Sequence, residues 1–300
     1  MSEPWITIVN PNAGGGRCGR DARDALFSLR EGGMRLATVE TRGPGDATAI
    51  ARDAYRAGHR RFLSVGGDGT HYEVVNGLFP RPTAGGREPV LGMLPLGTGN
   101  SFLRDFGVTD VRRALMALAQ GNQRPVDVVR ATHKDGAIHY INLLSVGFTA
   151  AVGALTNKHF KPFGALGYVL AVLASVARLG YPRFPLALDD AVQDDRSCTF
   201  ISFSNSRFTG GTMMIAPDAD AADGWLEVVR MGPLGRSELV AAFPRIFKGT
   251  HRALPQYEAT RAMRVALTLD GPVAVMVDGE VLSLQLEALE VLPGALQVVA

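Results

Sequence analysis

Cysteine is scarce in this chain, since only Cys18 and Cys198 carry thiols among 300 residues. Two thiols are too few to build a disulfide framework, and they lack the spacing of metal ligands. The first residues, MSEPWITIVNP, also lack a basic segment followed by an apolar run. We therefore expect no signal peptide and a reducing, cytoplasmic location.

Long runs of one charge and long apolar runs are also missing. The 31 Lys and Arg residues nearly balance the 29 Asp and Glu residues, and the basic residues are scattered along the chain. Nucleic-acid binding is therefore not expected. The uncharged stretch 162–177 is shorter than the ~20 residues of a membrane-spanning helix, so we expect no transmembrane span. Two interpretations of this stretch stay open: a helix packed in the core, or one that lies against a lipid surface.

The first part of the chain, to about residue 120, alternates short β-type runs with helical patterns. Ala22, Ala25, Leu26 and Leu29, for example, recur at the spacing of an amphipathic helix. This alternation predicts an α/β domain at 1–125 with parallel strands joined by helical crossovers. The predicted strands are Trp5–Val9, Leu36–Val39, Phe62–Val65 and Val90–Leu94, and one predicted helix is Glu73–Phe79.

From residue 126 onward the pattern changes to short β-type runs separated by Gly, Pro and Asp turns. We therefore predict a second, mostly antiparallel domain at 126–290, which helical patterns interrupt at 163–179 and 236–248. The predicted strands are Val126–Arg130, Ile138–Leu144, Phe184–Leu188, Thr199–Ser204, Trp225–Met231, Arg264–Leu269 and Ala274–Val277.

Three glycine-rich loops follow predicted strands of the first domain, at 10–16, 66–70 and 94–100. In such sheets ligands collect at the carboxyl ends of the strands, where backbone N–H groups favour phosphate. Thr70 and Thr98 add hydroxyls, but Asp68 would repel phosphate unless a cation lies between them. We therefore predict a polyphosphate site at which Asp68 holds or orients Mg²⁺. The alternative is a tight turn between strand and helix.

Two common nucleotide signatures do not occur. The chain has no G-x-x-x-x-G-K-[ST] motif, and no G-x-G-x-x-G motif follows the first strand. The chain is therefore not a P-loop protein, and it lacks the dinucleotide-binding fingerprint after its first strand.

At these loops the chain resembles the diacylglycerol kinase catalytic-domain superfamily, which includes bacterial lipid kinases, sphingosine kinases and ceramide kinases. The motifs in order are Asn10-Pro11 with glycines, GGDGTHYEVVNGL, LPLGTGNSFLRDFG, FSNSRFTGGTMMIAP, DGWL and VDGE. NAD kinases share GGDGT but show N-x-G-x-L-G-F at the later loop, so LPLGTGN favours the lipid-kinase branch. The resemblance implies a nucleotide domain that the C-terminal residues 291–300 rejoin, a β-sandwich domain, and an active site in the cleft.

The resemblance also implies roles for particular residues. Asp68 would organise Mg²⁺, Asp127 would support it through water, and Glu280 would be the general base. Asp223 would bind a structural Mg²⁺ or Ca²⁺, with carbonyls near Asp220 and Trp225. The expected ATP contacts come from three loops and the end of the second predicted strand. They are Asn10, Thr41, the run from Gly66 to Tyr72 (Gly66, Gly67, Asp68, Gly69, Thr70, His71 and Tyr72) and Thr98.

For several of these residues a purely structural role stays open as an alternative. Glu280 follows Asp278-Gly279, a common two-residue hairpin turn, and could simply be exposed. The carboxylates around Asp223 could form a solvated acidic turn. Tyr72 stands where the family most often has Asn, which puts a side-chain contact there in doubt. We interpret His71 as a polar residue at the start of a helix.

The expected function is that of an ATP-dependent lipid kinase of phospholipid metabolism, with diacylglycerol as the default acceptor. The lipid would be presented at a membrane surface, and the family resemblance implies a homodimer. Segment 162–177, with Phe160, Phe163 and Tyr168, would border the acyl-chain site. Two alternatives stay open: NAD-kinase-like transfer to a soluble hydroxyl, and a nucleotide-binding regulator without catalysis.

Overall fold

Continuous apolar runs form buried parallel strands in the first of two units into which the chain divides. In the computed structural model, which describes residues 3–81, 88–156, 164–189 and 191–300, this unit comprises Met1–Val128 and Pro293–Ala300. Its strands are β1 (Trp5–Val9), β2 (Leu36–Glu40), β3 (Arg61–Gly66) and β4 (Val90–Pro95). Strand β1 is buried along its whole length, whereas the edge strand β2 is mostly exposed. Burial on both faces explains why the inner strands read as unbroken apolar runs.

The strands of this unit pair in the order β2-β1-β3-β4, all in parallel. The C-terminal strand β17 (Leu286–Val299) adds its last residues to this sheet through Gln297 and Val298, parallel to β4. The crossover helices are α1 (Cys18–Glu31), α2 (Asp46–Arg56), α3 (Asp68–Leu78) and α4 (Val111–Gln120). The predicted α/β arrangement is confirmed, and the stripe from Ala22 to Leu29 is the buried face of α1.

Strands that pair in the antiparallel direction make up most of the second unit, Val129–Leu292. A six-stranded sheet has the order β13-β12-β9-β7-β15-β16, and β14 pairs with β8 and with the first half of β17. The prediction of a second, mostly antiparallel domain is confirmed. The remaining strands are β5 (Gln123–His133), β6 (Gly136–Tyr140), β7 (Leu143–Gly147), β8 (Leu186–Leu188), β9 (Phe200–Ser204), β10 (Phe208–Thr209), β11 (Met213–Met214), β12 (Leu226–Met231), β13 (Tyr257–Ala262), β14 (Arg264–Leu267), β15 (Val273–Val277) and β16 (Glu280–Leu284).

Three helices accompany the antiparallel sheet: α5 (Phe148–Leu155), α6 (Gly164–Ala177) and α7 (Arg236–Ile246). A buried cluster joins Ala150 of α5, Val172 of α6 and Leu239 of α7 with Phe200 and Val229 of the sheet. The helix predicted over the apolar stretch therefore exists and packs partly in the core. Among the described residues, no helix combines the length and apolarity needed to span a membrane.

Two sequence predictions are wrong in detail. The helix predicted from Glu73 begins five positions earlier, at Asp68, because the glycine-rich loop already turns into the first helical turn. The run Ile138–Leu144 is split between β6 and β7 by a turn at Ile141 and Asn142. Predicted acyl-site residues Phe160 and Phe163 lie outside the described residues, as does the side chain of Tyr168.

Candidate active site

Three glycine-rich loops meet at the carboxyl ends of β1, β3 and β4. The N–H of Leu96 in the third loop donates to the carbonyl of Gly66 in the second (2.7 Å). A Cβ built on Gly14 of the first loop would lie 2.7 Å from the Leu96 oxygen. The predicted convergence of the three loops at one rim of the sheet is therefore present in the structure.

The second and third loops touch through their backbones at a pair of glycines. A Cβ on Gly97 would lie 2.2 Å from the Cα of Gly67, and a Cβ on Gly67 would lie 2.9 Å from the Cα of Gly97. Real Cβ contacts are never this short, so both positions require glycine. The two loops can approach each other only because neither carries a side chain there.

Asn10 connects the first loop to the second. Its side-chain amide donates to the hydroxyl of Thr70 (3.1 Å), and its backbone N–H donates to the Val65 carbonyl (3.0 Å). Thr41, at the end of β2, is buried and donates its N–H to the Val9 carbonyl (2.8 Å). Three of the predicted nucleotide residues, Asn10, Thr41 and Thr70, thus lie just beyond the ends of the adjacent strands β1, β2 and β3.

Thr98 lies at the exposed tip of the third loop, and Asn100 braces that loop from inside. The Asn100 side chain accepts from the Gly97 N–H (3.0 Å) and donates to the carbonyls of Pro95 (3.1 Å) and Gly97 (2.8 Å). Asn100 also has a left-handed backbone with φ of +54°. These hydrogen bonds from the Asn100 side chain fix the backbone on both sides of Thr98, which stays exposed to solvent. Asn100 was not among the predicted site residues, although Asn tolerates a left-handed backbone better than most residues other than glycine.

Asp68 is the first residue of α3, and its carboxylate faces the segment that follows the third loop. The N–H of Ser101 lies 2.9 Å and 3.2 Å from the two carboxylate oxygens, and the Ser101 hydroxyl donates over 3.0 Å. Ser101 was missed by the sequence analysis, because nothing in its neighbourhood marks a partner 33 positions away.

Burial raises the pKa of the Asp68 carboxyl above its usual value, while the Ser101 and Phe102 N–H groups, the Ser101 hydroxyl and Arg104 act in the opposite direction. Each carboxylate oxygen can accept more than one hydrogen bond. Mg²⁺ commonly keeps several waters and is held through one or two carboxylates. Asp68 therefore keeps acceptor capacity for a cation bound directly or through water, and the Mg²⁺ expected there remains a prediction.

His71 lies in the first turn of α3, as the interpretation of a residue at a helix start requires, and it is buried, with 3% of its surface exposed. Its Nδ1 lies 2.7 Å from the Ser64 hydroxyl on β3, and burial lowers the pKa of His71 to about 4. The neutral ring fills the space between α3 and β3. Tyr72, the departure from the family pattern, is also buried at 9% exposure.

Asp127 is buried in β5 and ties down the C-terminal strand. Its Oδ1 accepts from the N–H of Gly294 (2.7 Å). This bond gives Asp127 a structural task within its unit: it holds the returning strand β17. The proposed second task, supporting Mg²⁺ through water, remains a prediction.

Glu280 is exposed at the start of β16, directly after the turn Asp278-Gly279. Val277 and Glu280 are the paired residues that flank this turn, and φ is +45° at Asp278 and +89° at Gly279. Two successive left-handed residues define the type I′ hairpin turn. The hairpin is therefore present, and a role of Glu280 as general base remains a prediction.

The acidic turn around Asp223 is organised by its own backbone and by arginines. Asp220 accepts from the N–H of Ala222 (3.1 Å), and Asp223 accepts from the N–H of Trp225 (3.0 Å). Asp223 also lies 3.3 Å from the Arg261 guanidinium. Within the described ranges, no three His, Cys, Asp or Glu side chains are grouped as metal ligands. A structural ion here would need backbone carbonyls, as the predicted set already assumed.

Comparison with known proteins covers both units. The family model described as diacylglycerol kinase catalytic domain matches residues 4–131, and that described as YegS C-terminal NAD kinase beta sandwich-like domain matches residues 142–300. A diacylglycerol kinase of Mycobacterium tuberculosis (strain ATCC 25618 / H37Rv) is 30% identical over 294 residues, covering 97% of this chain and 93% of that protein. The chain belongs to the diacylglycerol kinase family.

Other members of the diacylglycerol kinase family are more distant. A diacylglycerol kinase of Staphylococcus aureus (strain MRSA252) is 28% identical over 278 residues, covering 91% of this chain and 84% of that protein. A crystal structure of a candidate diacylglycerol kinase from Bacillus anthracis strain Sterne superimposes with a TM-score of 0.80 at 22% identity, covering 99% of this chain and 95% of that one. At that identity the likeness concerns the fold alone.

Proposed function

We propose that the protein is an ATP-dependent lipid kinase that transfers the γ-phosphate to a lipid hydroxyl, with diacylglycerol as the default acceptor. The observation that carries the proposal is the meeting of three glycine loops, through Gly67 and Gly97, beside the carboxylate of Asp68. Membership of the diacylglycerol kinase family, and the names of the relatives, support the choice of a lipid acceptor.

In this proposal the loops bind the polyphosphate of ATP. Backbone N–H groups of Gly66, Gly67 and Gly69 approach the phosphates because no side chain intervenes, and Asn10, Thr70 and Thr98 add polar contacts. Thr41, which directly follows β2, adds a further contact to ATP. Mg²⁺, when bound, neutralises charge that builds up on the phosphates during transfer. Asp68 would orient the Mg²⁺ ion, and Asp127 would support the ion through a water molecule.

Glu280 accepts the proton of the lipid hydroxyl. An alcohol holds its proton too tightly for a carboxylate to remove it beforehand, so the proton moves late, as the phosphoryl group transfers. The Glu280 carboxylate is exposed at the start of β16, where an acceptor hydroxyl can reach it. Positioning of the two substrates supplies most of the rate enhancement.

The proposal has three further parts. The lipid is presented at a membrane surface by a protein that associates peripherally, and the apolar helix α6 borders its acyl chains. Asp223, with carbonyls near Asp220 and Trp225, holds a structural Mg²⁺ or Ca²⁺. The protein acts as a homodimer in the cytoplasm.

A second candidate is transfer to a soluble hydroxyl, and one observation favours it. The family model that matches residues 142–300 is described as NAD kinase beta sandwich-like. The experiment offers ATP labelled in the γ-phosphate together with micelles of diacylglycerol, monoacylglycerol, ceramide, sphingosine or phosphatidylglycerol, and separately with NAD. Label in one lipid supports the proposal. Label in NAD alone favours the second candidate, and ATP binding without transfer to any acceptor favours a non-catalytic regulator.

A further inference from the structure

The hairpin turn before Glu280 is bonded to residues 141–143 as well as to its own two strands. A type I′ turn of sequence Asp-Gly closes by itself, since both residues tolerate the left-handed backbone. Here the turn residue Asp278 is nevertheless buried, with only 4% of its surface exposed. Burying a carboxylate is costly unless hydrogen bonds compensate, so hydrogen-bond donors are expected around this group.

Three backbone N–H groups donate to the Asp278 carboxylate. Oδ1 accepts from Asn142 (3.1 Å) and Leu143 (3.0 Å), and Oδ2 accepts from Ile141 (3.1 Å). The N–H of Asp278 in turn donates to the Leu143 carbonyl (3.1 Å). Hydrogen bonds to an ionised acceptor are about twice as strong as neutral ones, so this clamp fixes the turn firmly.

The segment that receives the clamp is itself held from the other side. The side-chain amide of Asn205 donates to the Ile141 carbonyl (2.7 Å), and the N–H groups of Asn205 (2.8 Å) and Ser206 (3.0 Å) donate to the Asn142 carbonyl. The hydroxyl of Ser206 also bonds the Asn142 side chain. The turn before Glu280 is therefore anchored through residues 141–143 to the end of β9.

We infer that Asp278 is a positioning residue for Glu280: its carboxylate clamp onto the N–H groups of residues 141–143 fixes where the proposed base begins β16. The inference rests on the proposed role of Glu280. The clamp is not needed to close an Asp-Gly turn. What it adds is a fixed position for the residue that follows, and a displacement of about 1 Å at a reacting group can cost about 100-fold in rate.

Asp278→Asn is the variant that tests this inference. Asn keeps one oxygen for Asn142 and Leu143 and tolerates the left-handed backbone, but its NH₂ group cannot accept from Ile141. We expect kcat to fall about 10- to 100-fold while KM for ATP changes by less than about twofold. Gly279→Ala, which strains the same turn at φ of +89° and leaves the carboxylate in place, is expected to lower kcat in the same way.

Asp189→Asn is the matched control. Asp189 also has a left-handed backbone, with φ of +47°, and its carboxylate accepts from the N–H groups of Met263 (3.0 Å) and Arg264 (2.8 Å). This clamp holds the entry to β14 on a different sheet. Asp189 is exposed, and Asn keeps the single oxygen that accepts both bonds, so Asp189→Asn is expected to change the unfolding midpoint little. It is expected to keep kcat within about twofold, because no reacting group follows it.

A double-mutant cycle distinguishes positioning from simple loss of stability. If Asp278 acts through Glu280, Asp278→Asn causes no further loss of kcat in a Glu280→Ala background, because residues that act as a unit are not additive. Multiplicative losses in the cycle, or a folded Asp278→Asn protein with normal kcat, would overturn the inference. An unchanged kcat in Glu280→Ala alone would instead overturn the proposed role of Glu280.

Discussion

Gly97 packs so closely on Gly67 that a Cβ at position 97 would lie 2.2 Å from the Gly67 Cα. This contact joins the loop after β3 to the loop after β4, and it depends on the absence of side chains at both positions. The proposed nucleotide site therefore requires the two glycines for their size, since neither has a left-handed backbone.

Gly97→Ala should weaken ATP binding about tenfold or more, because overpacking of this kind forces backbone shifts that cost about 1–3 kcal/mol. Gly43→Ala is the control, since a Cβ at Gly43 would meet nothing within 4 Å. Calorimetric titration with ATP measures both variants. Equal affinities for the two proteins would show that the loop contact does not shape the nucleotide site.

Asp68→Asn should lower kcat by about 10²–10³, the range found when one group that stabilises developing charge is removed. Asn still accepts from Ser101 through its oxygen, so the loop keeps its support and the protein folds. Turnover is measured over a range of Mg²⁺ concentrations. Ser101→Ala retains the backbone N–H bond to Asp68, so its kcat is expected to fall much less than that of Asp68→Asn. A larger fall in kcat for Ser101→Ala than for Asp68→Asn would indicate that the Ser101 contact serves the structure of the loop and that Asp68 has no special role in catalysis.

His71 predicts a pH dependence of stability. Burial lowers its pKa to about 4 from an ordinary 6.5, so the unfolded chain binds a proton between these values and the folded chain does not. This contribution to stability is complete above pH 6.5 and is lost as the pH falls towards 4. The double variant Ser64→Ala/His71→Leu removes the histidine together with its hydroxyl partner.

The expected result for that double variant is a flatter stability profile. The slope of the unfolding free energy between pH 6.5 and 4 should decrease by about 1.4 kcal/mol per pH unit, the value for one proton. Urea unfolding at a series of pH values measures the slope. Ser64→Ala alone should retain the wild-type slope, and a retained slope in the double variant would contradict the assignment to His71.

Asp223 predicts a dependence of stability on divalent cations. If it holds a structural ion, EDTA should lower the unfolding temperature of the wild type but leave that of Asp223→Ala unchanged. Asp218→Ala serves as the control, because Asp218 pairs with Arg252 at 3.1 Å and was not among the proposed ligands. Differential scanning calorimetry with Mg²⁺, Ca²⁺ or EDTA provides the measurement. An unfolding temperature of the wild type that EDTA does not change would contradict the proposed structural ion.

Local sequence patterns were sufficient for features that local physics controls. The apolar stripe of α1 and the alternation of strands and helices follow from periodicity over a few residues. The glycine loops were recognisable because each one follows a strand, and parallel strands place their carboxyl ends at the same edge of the sheet.

Features that depend on distant partners could not be predicted. The break between β6 and β7 at Asn142 is stabilised by Asp278, a partner 136 positions away. The burial of His71 could not be predicted because its partner, Ser64, lies on the opposite side of a loop and is itself an ordinary strand residue. Neither contact leaves a periodic signal in the sequence.

The central claim is best tested by one measurement: the transfer of labelled γ-phosphate from ATP to diacylglycerol in mixed micelles, by the wild type and by Glu280→Gln. A lipid kinase that uses Glu280 as general base gives labelled phosphatidic acid with the wild type and a loss of about 10²–10⁴ in kcat with the variant, the range for removal of a general base. Equal rates for the two proteins, or no labelled lipid although ATP binds, would contradict it.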